Sequence, residues 1–111
     1  MSNSLNWTTV CHVDDLSDNI GVCASVNDKQ VAIFKLSNDE TLYAIDNHDP
    51  FSGANVISRG LVGCLQERTV VASPIYKQHF ELATGQCLED DSVTIPTYDV
   101  RITEGNVEVA A

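Results

Sequence analysis

The chain has 111 residues, with 16 Asp and Glu against 6 Lys and Arg and a formal net charge of −10. Such a length implies one domain, residues 1–111, which hides about two-thirds of its unfolded surface on folding and needs no disulfide or metal to do so. The six basic residues are scattered from Lys29 to Arg101, which excludes binding to a phosphate backbone. Either a partner with a basic patch or solubility alone accounts for the acidity.

Nearly every signal along the chain is strand. Trp7-Thr8-Thr9-Val10-Cys11 opens with β-branched and aromatic residues, and Val13–Ser17 is a polar turn, at most one helical turn capped by an Asp. Ile20–Val26 and Gln30–Leu36 flank Asn27-Asp28-Lys29, a connection suited to a hairpin. Ser37–Glu40 reads as a turn and Thr41–Asp46 as the next strand. Asn47–Gly60, with Pro50, Gly53 and Gly60, reads as a long ordered loop. Two further excursions run over Ser73–Gln78 and Gly85–Pro96, the latter with Glu89-Asp90-Asp91 as a solvated acidic trio, and a strand is expected to start at His79. Tyr98, Val100 and Ile102 alternate with polar residues, and Glu104-Gly105-Asn106 turns that strand into Val107-Glu108-Val109. Short strands between frequent turns predict an all-β antiparallel sandwich or small barrel.

No apolar run is long enough for a membrane span, and the first residues carry neither a basic nor an apolar targeting segment. Cys11, Cys23, Cys64 and Cys87 form no C-x-x-C pair or zinc spacing. They read as reduced thiols in a cytoplasmic chain, packed as small hydrophobes. His48, Asp49 and His79 are the residue types of a 2-His-1-carboxylate iron site, but neighbouring side chains on an extended loop diverge. Ser73, His79 and Asp49 have no nucleophile elbow behind them, and Gly60-Leu61-Val62-Gly63 does not fit a dinucleotide fingerprint. No catalytic residue and no metal ligand is therefore assigned.

The most informative segments are Asp46-Asn47-His48-Asp49-Pro50-Phe51 and Ser73-Pro74-Ile75-Tyr76, the second running on through Phe80-Glu81-Leu82-Ala83-Thr84-Gly85. Together they resemble the two cluster-holding loops of Rieske iron–sulfur domains, which read roughly Asn-x-Cys-Pro-His and Cys-Pro-x-His with a following Phe-acid-Leu-x-Thr-Gly run. The resemblance covers the chain from about Trp7 to Val109. It implies a Rieske-like antiparallel β sandwich or barrel with a small loop lobe. All four ligand positions are replaced: Asp49 and Ser73 stand for the cysteines, Phe51 and Tyr76 for the histidines. A Rieske centre needs two thiolates on one iron and two imidazoles on the other, so no cofactor is expected on this chain. The void is expected to be filled by Phe51 and Tyr76 packing together, with Asp49 or Ser73 hydrogen-bonded near the Tyr76 hydroxyl.

Missing ligands on this frame are most similar to the small subunits of NAD(P)H-dependent assimilatory nitrite reductases. That resemblance implies an accessory, non-catalytic role beside a large subunit that carries FAD, an iron–sulfur cluster and sirohaem and reduces nitrite to ammonium. The alternative is a cluster-free Rieske-scaffold binding module for another reductase or oxygenase, against which stands a chain expected to end soon after its last strand. Pro50, Pro74 and Ile75, with no proposed core role, are the expected partner-facing residues at the lobe tip.

Overall fold

A computed structural model describes residues 7–36, 41–75 and 77–110. Nine strands form within them: β1 (Trp7–His12), β2 (Val22–Val26), β3 (Lys29–Lys35), β4 (Leu42–Asp46), β5 (Leu61–Leu65), β6 (Arg68–Ala72), β7 (His79–Glu81), β8 (Thr97–Thr103) and β9 (Asn106–Ala110). Six of them make one antiparallel sheet in the order β1-β9-β8-β4-β3-β2, which curls until its two end strands approach one another. A second antiparallel sheet, β5-β6-β7, stands apart as a small lobe. The expected all-β sandwich or barrel with a lobe is what the chain forms.

β3 is the strand that joins the two bodies. Its residues Val31, Ala32, Ile33 and Phe34 are all fully buried, because successive side chains point to opposite faces and both faces are covered. Val31 and Ile33 pack inside the curled sheet with Val26, Ala44, Val107 and Val109. Ala32 and Phe34 pack on the other side with Ile45, Ile57, Val71, Phe80, Leu82, Cys87 and Ile95, the core shared with the lobe. A continuous apolar run in the sequence thus serves two cores at once.

The β2–β3 hairpin turns on two residues, Asn27 and Asp28, both at positive φ (50° and 67°) with Val26 opposite Lys29. This is the type I′ geometry that Asn and Asp tolerate, so Lys29 belongs to the strand and not to the connection. The β8–β9 hairpin uses Glu104 and Gly105 in the same way (52° and 83°). Val13–Asp15 is a 3-10 turn, but its cap is His12 and not an Asp. The Asp14 amide donates to the His12 ring at 3.1 Å, while the His12 amide donates to the Asp15 carboxylate at 3.1 Å. The acid therefore sits at the third position of the turn, closing a capping box from inside.

Three further expectations need correction. No strand was read between Gly60 and Ser73, yet β5 and β6 form a hairpin there. Its turn is Gln66-Glu67, both at positive φ (53° and 63°), with no Gly, Asn or Asp to announce it. Of the cysteines, all free thiols, only Cys87 is buried; Cys11 is partly exposed and Cys23 and Cys64 are exposed. Ile102, the last apolar member of the alternation in β8, is 47% exposed even though Val107 opposite it is fully buried. The expected Ser37–Glu40 turn lies outside the described residues.

Candidate functional site: the paired loops of the small lobe

The first loop leaves β4 at Asn47, and that residue fixes both of its ends. Its amide donates to the Gln30 carbonyl (2.9 Å), and its side-chain NH2 donates to the Asn55 carbonyl (3.1 Å) and the Gln30 side chain (3.3 Å). Its side-chain oxygen accepts from the Ser58 amide at 2.7 Å, and its carbonyl accepts from the Ile57 amide. Only a side chain with both donor and acceptor at a 2% exposed position can make this set. Between those anchors the loop folds on itself, with Asp49 N–H to Ala54 O and Gly53 N–H to Asp49 O. Gly53 takes φ +77° to allow the reversal. The second loop is closed by Ser73 N–H to Gln78 O and Lys77 N–H to Ser73 O.

The two loops meet at one bond. The Ser73 hydroxyl donates to Asp49 Oδ2 at 2.5 Å, and both residues are wholly buried. Asp49 Oδ1 accepts from the Phe51 amide at 2.9 Å and from the Ser52 amide at 3.5 Å. Burial pushes the Asp49 carboxyl up. The bonds from Ser73, the Phe51 amide and Ser52 outweigh it and hold the group below the ordinary Asp value. A buried carboxylate is thus satisfied on both oxygens, and the two residues that the sequence resemblance sets against the cluster cysteines are paired with each other.

Phe51 is half-buried and packs on the shared core, its ring tilted 41° against Phe80 with centroids 6.1 Å apart. Its partner is therefore Phe80. The expected pairing with Tyr76 falls outside the described residues. Pro50 and Pro74 are exposed and Ile75 is 43% exposed. These residues do not fit an iron–sulfur cluster. Asp49 and Ser73 satisfy each other, a benzyl ring has no donor atom, and no soft ligand stands at either loop.

His48 and Asp49 do diverge: His48 is exposed, with its ring nitrogen 3.0 Å from the Asn55 side chain, while Asp49 points inward. No group of three or more potential metal-ligating side chains gathers among the described residues. One functional-looking cluster was missed. His79 donates its amide to Glu89 Oε1 at 2.7 Å, and its ring lies 2.6 Å from Glu89 Oε2. Burial pushes the Glu89 carboxyl up, but those bonds from His79 win and hold it low. Glu89 is thus a tie between β7 and the third loop, and not merely part of a solvated trio. A separation of ten residues across an irregular loop gives no sequence signal for it.

The Rieske-like [2Fe-2S] domain family matches residues 6–110. The NADH nitrite reductase small subunit of Escherichia coli K12 is 41% identical over 103 residues, 93% of this chain and 95% of that one. The chain belongs to the Rieske-like small subunits of nitrite reductases. A solved structure from Mycobacterium tuberculosis, 46% identical, superposes with a TM-score of 0.93 over 98% of this chain and 97% of its own. A nitrite reductase large subunit from Klebsiella oxytoca is 33% identical to this chain over 103 residues, 93% of this chain but 11% of the large subunit. The family is related to 2Fe–2S binders, and the loops of this member keep the frame without the ligand set.

The buried carboxylate makes acid stability specific. Asp49 has a folded-state value below its unfolded one, so its contribution is complete above about pH 4 and is lost as pH falls through the lower folded value. Asp49→Asn should cost about 1.5–3 kcal/mol at pH 7 and flatten the acid limb of stability. Denaturant midpoints from pH 7 to pH 2.5 on both proteins check this, with equal slopes below pH 4 counting against it.

Proposed function

We propose that this chain, acting as a single domain, is the accessory, non-catalytic small subunit of an NAD(P)H nitrite reductase. Its large partner carries FAD, an iron–sulfur cluster and sirohaem, and reduces nitrite to ammonium. The observation that carries this reading is the loop lobe itself: Asp49 and Ser73, which the resemblance sets against two of the four cluster ligands, hydrogen-bond to each other within the kept frame. Such a domain has no electron to pass, so its contribution to a six-electron reduction lies in the partner's stability, orientation or modulation, the redox chemistry belonging to the cofactors. Support for the partner comes from the Klebsiella oxytoca large subunit, in which a stretch like this chain is part of the same polypeptide. One polypeptide holding both implies that the two bodies work in contact.

The compartment we assign is the cytoplasm. No helix among the described residues is long and apolar enough to cross a membrane, and the four thiols are free, as a reducing compartment would keep them. At the lobe tip, Pro50, Pro74 and Ile75 are the proposed partner-facing residues, apolar yet exposed.

Two outcomes test the reading. The purified chain is colourless and free of iron and acid-labile sulfide, and in its native host it co-purifies with a large coloured subunit bearing flavin and haem. A charge-transfer spectrum with stoichiometric iron after anaerobic purification contradicts the first part, and absence of the large subunit contradicts the second. Separately, Ile75→Asp weakens binding to the large subunit about tenfold or more while leaving the melting temperature unchanged. Unchanged affinity would move the contact away from the tip.

A further inference from the structure

The small sheet has one edge that nothing covers among the described residues. β7, at the far side, is closed by Leu88 N–H to His79 O and Glu81 N–H to Gln86 O, with a bridge from Phe80 to Cys87. β5, Leu61-Val62-Gly63-Cys64-Leu65, pairs with β6 alone. Its hairpin closes over two residues with Leu65 opposite Arg68, so Leu65, Gly63 and Leu61 turn their amides and carbonyls toward β6. Val62 and Cys64 therefore turn theirs outward, and neither takes a backbone bond from the described residues on that side.

Exposed edges are usually blunted with a charge, a proline or a bulge. This strand has no charge or proline, and its register with β6 runs without a break. Its side chains are also unusual for a free surface. Leu61 is 77% exposed and Leu65 36% exposed on one face of the strand. Between them Gly63 leaves a gap, since nothing lies within 4 Å of where a Cβ would stand.

The charge around the strand differs in sign from the rest of the molecule. Between Ile57 and Gln78 the only acidic residue is Glu67, against Arg59, Arg68 and Lys77. On the large sheet Lys35 is paired with Asp18, Arg101 with Glu108, and Lys29 lies over the Tyr98 ring. Arg59, Arg68 and Lys77 are exposed and have no ion pair among the described residues. Arg59 stands two residues before β5, and Arg68 lies directly across from its last residue. A chain of net charge −10 thus keeps two cations without an ion pair among the described residues, Arg59 and Arg68, beside its bare apolar edge. The strand starts where Leu61 faces Ala72, the residue before Ser73, so edge and loop tip form one continuous border of the lobe.

We infer that β5 is a strand-addition site for an extended segment of the large subunit, an inference that rests on the accessory-subunit reading. The segment lies along β5 and bonds the outward groups of Val62 and Cys64. It places an apolar side chain in the gap between Leu61 and Leu65, and carries a carboxylate to Arg59 or Arg68. Backbone pairing supplies affinity, and the gap with its flanking arginines supplies selectivity.

The decisive variant is Cys64→Pro, which removes an outward donor at an edge position where proline is tolerated, compared with Cys64→Ser, which keeps it. Affinity is measured for the purified large subunit, with melting temperature recorded on each variant. Cys64→Pro should weaken binding about tenfold or more, and Cys64→Ser should bind as wild type. Leu61→Asp, at a side chain too exposed to matter for folding, should weaken it comparably and covers the case in which the proline variant does not fold. Binding of Leu61→Asp and folded Cys64→Pro at wild-type affinity overturns the inference while leaving the accessory role standing. A wild-type chain that does not bind the large subunit at all overturns the accessory role itself. Self-association of the wild type that Cys64→Pro abolishes, with large-subunit binding intact, would give the edge to a second copy and overturn the assignment made here.

Discussion

The bond between Ser73 and Asp49 is the one on which the lobe depends. It joins two loops 24 residues apart, at a place where both partners are sealed from water. A lone carboxylate there would face a large desolvation cost. Here one oxygen receives the hydroxyl and the other receives the amides of its own loop, so the charge is kept and the loops are fixed relative to each other. In a cluster-bearing Rieske domain two thiolates share one iron. The two positions that the sequence resemblance sets against those thiolates are here joined by a short charge-assisted hydrogen bond. The consequence is a lobe whose two loops are held in place by their own side chains.

That bond works only because the surroundings are set first. Asn47 pins both ends of the first loop against β3 and the 3-10 turn at Ile57–Arg59. Phe80 and Ile57 provide the apolar floor, and Phe51 rests its ring on Phe80 in the space the loops enclose. Gly85 closes the far side at φ +79°, where an added Cβ would stand 1.9 Å from the Ile95 carbonyl oxygen. The Thr-Gly pair of the motif is thereby explained by a turn that admits no side chain. The floor in turn hangs on β3, whose alternate residues fill the large sheet on one side and the lobe interface on the other.

What the sequence disclosed and what it hid follow from the range of the forces involved. Asn27-Asp28 and Glu104-Gly105 announce hairpins because the backbone they need is read from one or two residues. The loop motif was readable because its residues each answer a local demand: Asn47 for paired bonds, Gly53 and Gly85 for positive φ. Gln66-Glu67 carries no such mark, so β5 and β6 were missed although Val70 and Val71 are buried. Cys87 is buried as expected, but Cys11, Cys23 and Cys64 were misjudged because their neighbours in sequence include apolar residues, while exposure is decided by distant strands; Cys64 lies on the bare edge. Asp49 or Ser73 was expected to hydrogen-bond near the Tyr76 hydroxyl, and that they bond to each other was not foreseen, because the pairing of two loops 24 residues apart leaves no local mark. His79–Glu89 left no trace at all, since its geometry exists only once the third loop has folded.

The most direct test of the central claim is a double-mutant cycle on Asp49→Ala and Ser73→Ala, with unfolding free energies measured at pH 7. If this bond holds the loops together, the two single variants lose much the same stability and the double variant little more. The coupling between them would then be about 1.5–3 kcal/mol. Additive losses with coupling near zero would mean that the loops are held by something else, and the account of a hydrogen bond in place of a cluster would fail.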